Sequence, residues 1–144
     1  MEATPQMNKL IFISLILFSF SCGAAQKYKE CFKQNGVSYQ VESDTTLCPD
    51  PMETESAMEV VADIAECKRE VFKGYDVVFI DEQYMELGSQ RAVGATYTDS
   101  RTIYIAKTPY PINILRHEFF HVALLATTGN SDYYHADPRW NEVN

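Results

Sequence analysis

The stretch Thr108–Gly129, TPYPINILRHEFFHVALLATTG, decides how the rest of the 144-residue chain reads. Pro111 suits a first helical turn, where its missing N–H costs nothing, with Thr108 or Tyr110 opening the helix. Gly129 supplies a stop. Between them apolar residues run nearly all round, so the helix reads as buried rather than as a surface helix. Polar side chains buried there without partners would cost free energy, so those present need a shared purpose. His117, Glu118 and His121 are three of them, and they form H-E-x-x-H.

Histidines at i and i+4 project from one helix face one turn apart, so both imidazoles can meet one metal ion. Zinc accepts neutral imidazole nitrogen, and its tetrahedral geometry leaves room for a third protein ligand and a water. Glu118 lies about 100° further round the helix, which aims its carboxylate beside the metal rather than at it. From there it can take a proton from an attacking water and pass it to a leaving amine. With three histidines and twelve glutamates in the chain, a chance H-E-x-x-H is expected at about half a per cent. The remaining histidine, His135 in SDYYHADPRW, is the expected third ligand, returned over the metal by a loop beyond Gly129. Asp132 and Asp137 compete for that place, and the carboxylate left over would suit orienting a ligand imidazole. Tyr133, Tyr134 and Arg139 are the candidates for stabilising an oxyanion.

HEFFH followed by a single later histidine in HADPRW resembles the zincin superfamily of metallopeptidases, most closely its SprT-like and other minimal members. In those an aromatic residue follows the third histidine; here it would be Trp140, five positions after His135. VGATYTDSRTIYIAK (93–107) is similar to the hairpin that precedes the active-site helix in zincins, so the resemblance covers residues 91–140. It implies Zn2+ as cofactor, a peptide or protein as substrate, and substrate binding by strand addition to an edge strand, here Arg101–Ala106. DNA-repair roles of SprT-like proteins are not implied, because a DNA-binding extension and a zinc ribbon are missing from the sequence. The rival expectation is a non-catalytic envelope lipoprotein or binding module that uses the same fold, its metal structural or absent.

Upstream, Tyr75–Ile80, Arg91–Tyr97 and Arg101–Ala106 read as strands, the last two flanking a Thr98-Asp99-Ser100 turn. A helix is expected from the cap Asp50, through Pro51 and Glu53, to a stop at Gly74. Ala57, Val60, Val61, Ile64, Cys67, Val71 and Phe72 repeat along one face of it. Asn35-Gly36 marks a hairpin, with alternation continuing through Val37, Tyr39 and Val41. The expected class is α+β: a small zincin-like domain over 50–144, with amphipathic helix, short sheet and buried active-site helix, preceded by an arm or hairpin over 22–49.

Residues 1–21 read as a signal peptide. Lys9 precedes the apolar run Leu10–Phe20, whose 11 residues are about half a membrane-spanning helix, and small residues follow. Cys22 resembles the lipid-attachment cysteine of a bacterial lipoprotein, with ordinary cleavage after Ala24 or Ala25 as the alternative. Either exit places the chain in the periplasm or on the membrane by a lipid anchor, an oxidising setting in which cysteines pair. Cys67, taken as deep inside the first helix, would lie about 25 Å from Cys48, too far for a disulfide. Cys31 therefore pairs with Cys48 or with Cys67, and Cys31–Cys48 is the favoured choice. A 46% hydrophobic fraction supplies a core. The net charge of −8 argues against nucleic acid, whose phosphates demand a basic face.

Overall fold

A computed structural model describes residues 28–143. The expected signal peptide and Cys22 lie outside these residues. The chain begins with two strands, β1 (Lys29–Gln34) and β2 (Val37–Val41), joined at Asn35-Gly36. Both turn residues have positive φ, 52° and 79°, the conformation a two-residue primed turn demands and an Asn-Gly pair tolerates. Cys31 is bonded to Cys48, with Cα atoms 5.7 Å apart. The disulfide ties the hairpin to the segment that enters helix α1 (Pro51–Ile64). Reducing it, or replacing both cysteines by serine, is expected to lower stability by about 3 kcal/mol for a loop of this size. Urea unfolding of the paired and reduced chains measures this directly.

Asp50 caps α1, its Oδ1 accepting from the backbone N–H groups of Met52 and Glu53 at 2.7 and 3.2 Å. The helix stops at Ile64, ten residues short of the expected Gly74. Glu66 takes a left-handed φ of 53°. The Cys67 N–H then reaches the Ala62 carbonyl and the Glu66 N–H that of Asp63. This is a Schellman closure with a non-glycine residue at the left-handed position. Cys67 therefore follows the helix instead of lying inside it, yet the 14 residues of α1 still stand between it and Cys48, about 20 Å of helix, and the favoured Cys31–Cys48 pairing is the one formed. A short 3-10 turn at Arg69–Phe72 continues the apolar spacing and buries Phe72.

Four strands follow: β3 (Asp76–Phe79), β4 (Met85–Leu87), β5 (Gln90–Ala92) and β6 (Gly94–Tyr97). Then come β7 (Thr102–Ile105), helix α2 (Pro111–Thr128) and a closing turn of helix, α3 (Trp140–Val143). The main sheet runs β1-β2-β3-β7-β6, with β2, β3 and β7 parallel to one another and the outer pairs antiparallel. The N-terminal hairpin is thus part of this sheet rather than a separate arm. β4 and β5 form a small hairpin of their own. The run Arg91–Tyr97, expected as one strand, divides at Val93: its first part pairs with β4 and its second with β7.

Helices α1 and α2 cover one face of the sheet. Val37, Tyr39, Val41, Val77, Ile103 and Ile105 from the strands share a core with Met58 and Val61 of α1 and Leu115, Phe119, Phe120 and Leu124 of α2. The class is α+β. No helix among the described residues is long and apolar enough to cross a membrane.

Candidate metal centre

Helix α2 carries the site because it must be buried on two sides. Leu115, Phe119, Val122 and Ala123 face the core, and Gly129 ends the helix in the left-handed conformation at φ 77°. His117 and His121 share a face away from that core, their ring centroids 5.1 Å apart. The chain then turns back. Asp132 and His135 both adopt left-handed φ angles, 54° and 55°, and the His135 N–H closes onto the Asp132 carbonyl at 2.9 Å. Left-handed non-glycine residues cost about 1–3 kcal/mol each and gather at functional sites. The strained turn sets the His135 ring beside the two helix histidines, 4.7 Å from His117 and 5.1 Å from His121.

Nitrogen atoms of His117, His121 and His135 all lie within 4.8 Å of one another. The His121 Nδ1–H donates to the Ser131 carbonyl at 2.7 Å, so in the neutral ring Nε2 carries a bare lone pair. That Nε2 lies 3.3 Å from Nε2 of His135. Two nitrogens bound to one tetrahedral ion at about 2.05 Å are about 3.35 Å apart, so the separation of this pair suits a shared metal ion. Burial pushes the His121 imidazole down to about 4, which keeps it in the neutral form a metal requires.

The competing carboxylates have other tasks. Asp132 accepts from the N–H groups of Ala136 and Asp137 and from the Trp140 indole, at 2.9, 2.7 and 2.8 Å. The Asp137 N–H leads in holding its carboxyl below the usual range, followed by the Ala136 N–H and the Trp140 indole. Asp137 grips Arg139 with both oxygens, at 2.9 and 2.7 Å. His135 is the residue brought together with His117 and His121. The Ser131 carbonyl orients the His121 imidazole by a direct hydrogen bond. Trp140 backs the whole cluster, its ring 4.6, 4.7 and 4.3 Å from those of His117, His121 and His135.

Glu118 is buried on the adjoining face of α2. Burial raises its carboxyl to about 7, against a smaller opposing effect of the Thr96 hydroxyl, which donates to Oε2 at 2.6 Å. A Cβ added at Gly94 would fall 2.4 Å from Oε1 and 2.6 Å from Cγ2 of Ile114. The sequence reading did not find Thr96 and Gly94. An isolated glycine in a strand is a signal of close backbone approach, and it would have pointed to Gly94.

Strand β6 is the exposed edge next to this carboxylate. The expected edge, Arg101–Ala106, is an interior strand: β7 is paired on one side with β3 and on the other with β6. A cleft of about 830 Å³ joins these parts, with β5 and β6 along one wall and the 131–135 loop along the other. Tyr133 and Tyr134 line it, and the Tyr133 hydroxyl donates to Gln90 Oε1 at 3.4 Å. Arg139, held by Asp137, is not among the cleft residues. Compared with known proteins, the chain matches no family model, no curated protein and no solved structure.

Proposed function

We propose that this protein is a zinc-dependent metallopeptidase with a zincin-like site, its three ligands His117, His121 and His135 and its general base Glu118. The observation that carries the reading is the convergence of three imidazole nitrogens within 4.8 Å beside a buried carboxylate, in a cleft bordered by an unpaired sheet edge. Zinc held there would supply Lewis-acid polarisation of a carbonyl and would acidify water.

The chain's own residues do the rest. An extended peptide adds to β6 through main-chain hydrogen bonds, which brings its backbone alongside Thr96 and Glu118. Thr96 holds Oε2 of Glu118 and leaves Oε1 to take up a proton and return it to the departing amine nitrogen. A carboxylate held in this way can act first as base and then as acid at one site. Trp140 and the Ser131 carbonyl keep the imidazoles oriented. Tyr133 and Tyr134 are placed at the cleft wall, where a phenol can donate to an oxyanion. Export to the bacterial periplasm, by a leader over 1–21 and with a lipid on Cys22, belongs to the same proposal. The Cys31–Cys48 bond supports it, since such bonds persist in oxidising compartments.

The test is metal analysis with hydrolysis of a quenched-fluorescent peptide library. Wild type should hold about one zinc per chain and cleave. Glu118→Gln should keep the zinc and lose about 100-fold to 10,000-fold in rate. If both hold zinc and neither cleaves, the binding-module reading replaces this one. A folded chain that takes up no zinc overturns every metal-based reading.

A further inference from the structure

The cleft differs in charge from the rest of the molecule. The chain carries a net charge of −8, yet the side chains lining the cleft include only two formal charges, Glu118 and Arg91. Glu118 is buried against Thr96 and Gly94. Arg91 stands on β5 and is exposed.

Arg91 is directly opposite Glu86 in the β4–β5 hairpin, where an ion pair would be the ordinary arrangement. Among the described residues, however, no carboxylate pairs with it. Its guanidinium lies over the Tyr84 ring instead, 4.2 Å from the centroid. Stacking on an aromatic face limits the rotamers of a long side chain and leaves the in-plane N–H donors unspent. The hairpin is itself linked to the loop that carries His135 by the Tyr133–Gln90 hydrogen bond. The cleft therefore has a restrained, unpaired guanidinium on the wall continuous with β6, the strand proposed to bind substrate.

We propose that Arg91 is a specificity-determining residue that receives a carboxylate of the substrate, so that the preferred peptides are acidic or end near the scissile bond. The inference rests on the peptidase reading of the same cleft. A planar guanidinium offers two parallel N–H groups to a carboxylate, a match that an ammonium lacks. The source of that carboxylate is either an Asp or Glu side chain or the peptide's own C-terminus, and the chemistry at Arg91 is the same.

Binding to zinc-loaded Glu118→Gln chain tests this without turnover. The probes are dansylated alanine-leucine hexapeptides carrying one glutamate or one glutamine at each position in turn, each with a free or an amidated C-terminus. Carboxylate-bearing probes should bind about 10-fold more tightly than their neutral partners, the effect of one charge-assisted contact. The Glu–Gln pairs report a side-chain source and the free–amidated pairs a terminal one. Adding Arg91→Ala should erase the discrimination with zinc content unchanged, Arg91→Lys should restore part of it, and Arg91→Glu should invert it. In the active chain the same preference should appear in KM rather than kcat. Equal binding of charged and neutral probes, or discrimination that survives Arg91→Ala, overturns the inference. Cleavage of neutral peptides by wild type would then leave the peptidase reading standing, whereas zinc-loaded wild type that cleaves none of the library removes that reading itself.

Discussion

Gly94→Ala is expected to lower peptide hydrolysis by about 100-fold while the protein stays folded and holds its zinc. The added methyl would fall 2.4 Å from Oε1 of Glu118 and 2.6 Å from Cγ2 of Ile114, closer than any Cβ contact can be. Something must move, and of the atoms in the way Oε1 is the end of the long Glu118 side chain, whereas Cγ2 of Ile114 is a branch on a stiff helical Cβ. The group that yields first is therefore the proposed general base. Displacement of a catalytic group by about 1 Å costs about 100-fold in rate. Position 94 has no left-handed φ, so alanine adds no backbone strain to confuse the outcome. Zinc content, circular dichroism and kcat/KM, measured together, separate the possibilities. Full activity in a folded Gly94→Ala chain would mean that Glu118 does not work from this position.

The contrast between Gly94 and the residues of α2 shows what the sequence made legible. Helix α2 could be bounded from Pro111 and Gly129, and the placement of His117 and His121 on one face with Glu118 beside them could be read, because one helix fixes their relative positions. The hairpin at Asn35-Gly36 was readable for the same local reason. Where structure depends on the path of the backbone through less typical residues, the signals fail. Glu66 ends α1 in a conformation usually left to glycine, while Val71 and Phe72 prolong the apolar spacing past the true end. The three-residue strands β4 and β5 are too short to show a period. Sheet order is less legible still: β2, β3 and β7 are parallel neighbours, and nothing local in Arg101–Ala106 indicates that β6, not β7, takes the edge. The work of Asp132 was also out of reach, since it depends on where the loop carries Trp140. Asp132, His135 and Asp137 could be named as candidates, but only the folded turn shows which of them joins His117 and His121.

That sorting leads to the second large effect, on metal binding rather than on chemistry. Asp132→Ala is expected to weaken zinc affinity by about 10-fold to 100-fold, the range found when groups supporting metal ligands are removed. The two carboxylate oxygens of Asp132 gather the N–H groups of Ala136 and Asp137 and the Trp140 indole, so the loop bearing His135 and the ring behind all three histidines are fixed by one side chain. Alanine leaves those donors without their acceptor and also resists the φ of 54° at this position. Asp132→Asn and Asp132→Gly divide the two causes. Asparagine tolerates the conformation and keeps one acceptor oxygen, so its loss should be the smaller. Glycine tolerates it and keeps none, so its loss should approach that of alanine if the carboxylate is what matters. Asp137→Asn is the control, because Asp137 grips Arg139 with both oxygens, and its affinity should stay close to wild type. Trp140 is the chain's single tryptophan and contacts all three imidazoles, so its fluorescence reports zinc binding without reference to activity. Chelator competition read at that signal gives the affinities, and an Asp132→Gly chain that binds zinc as tightly as wild type would show that His135 is positioned by its own turn alone.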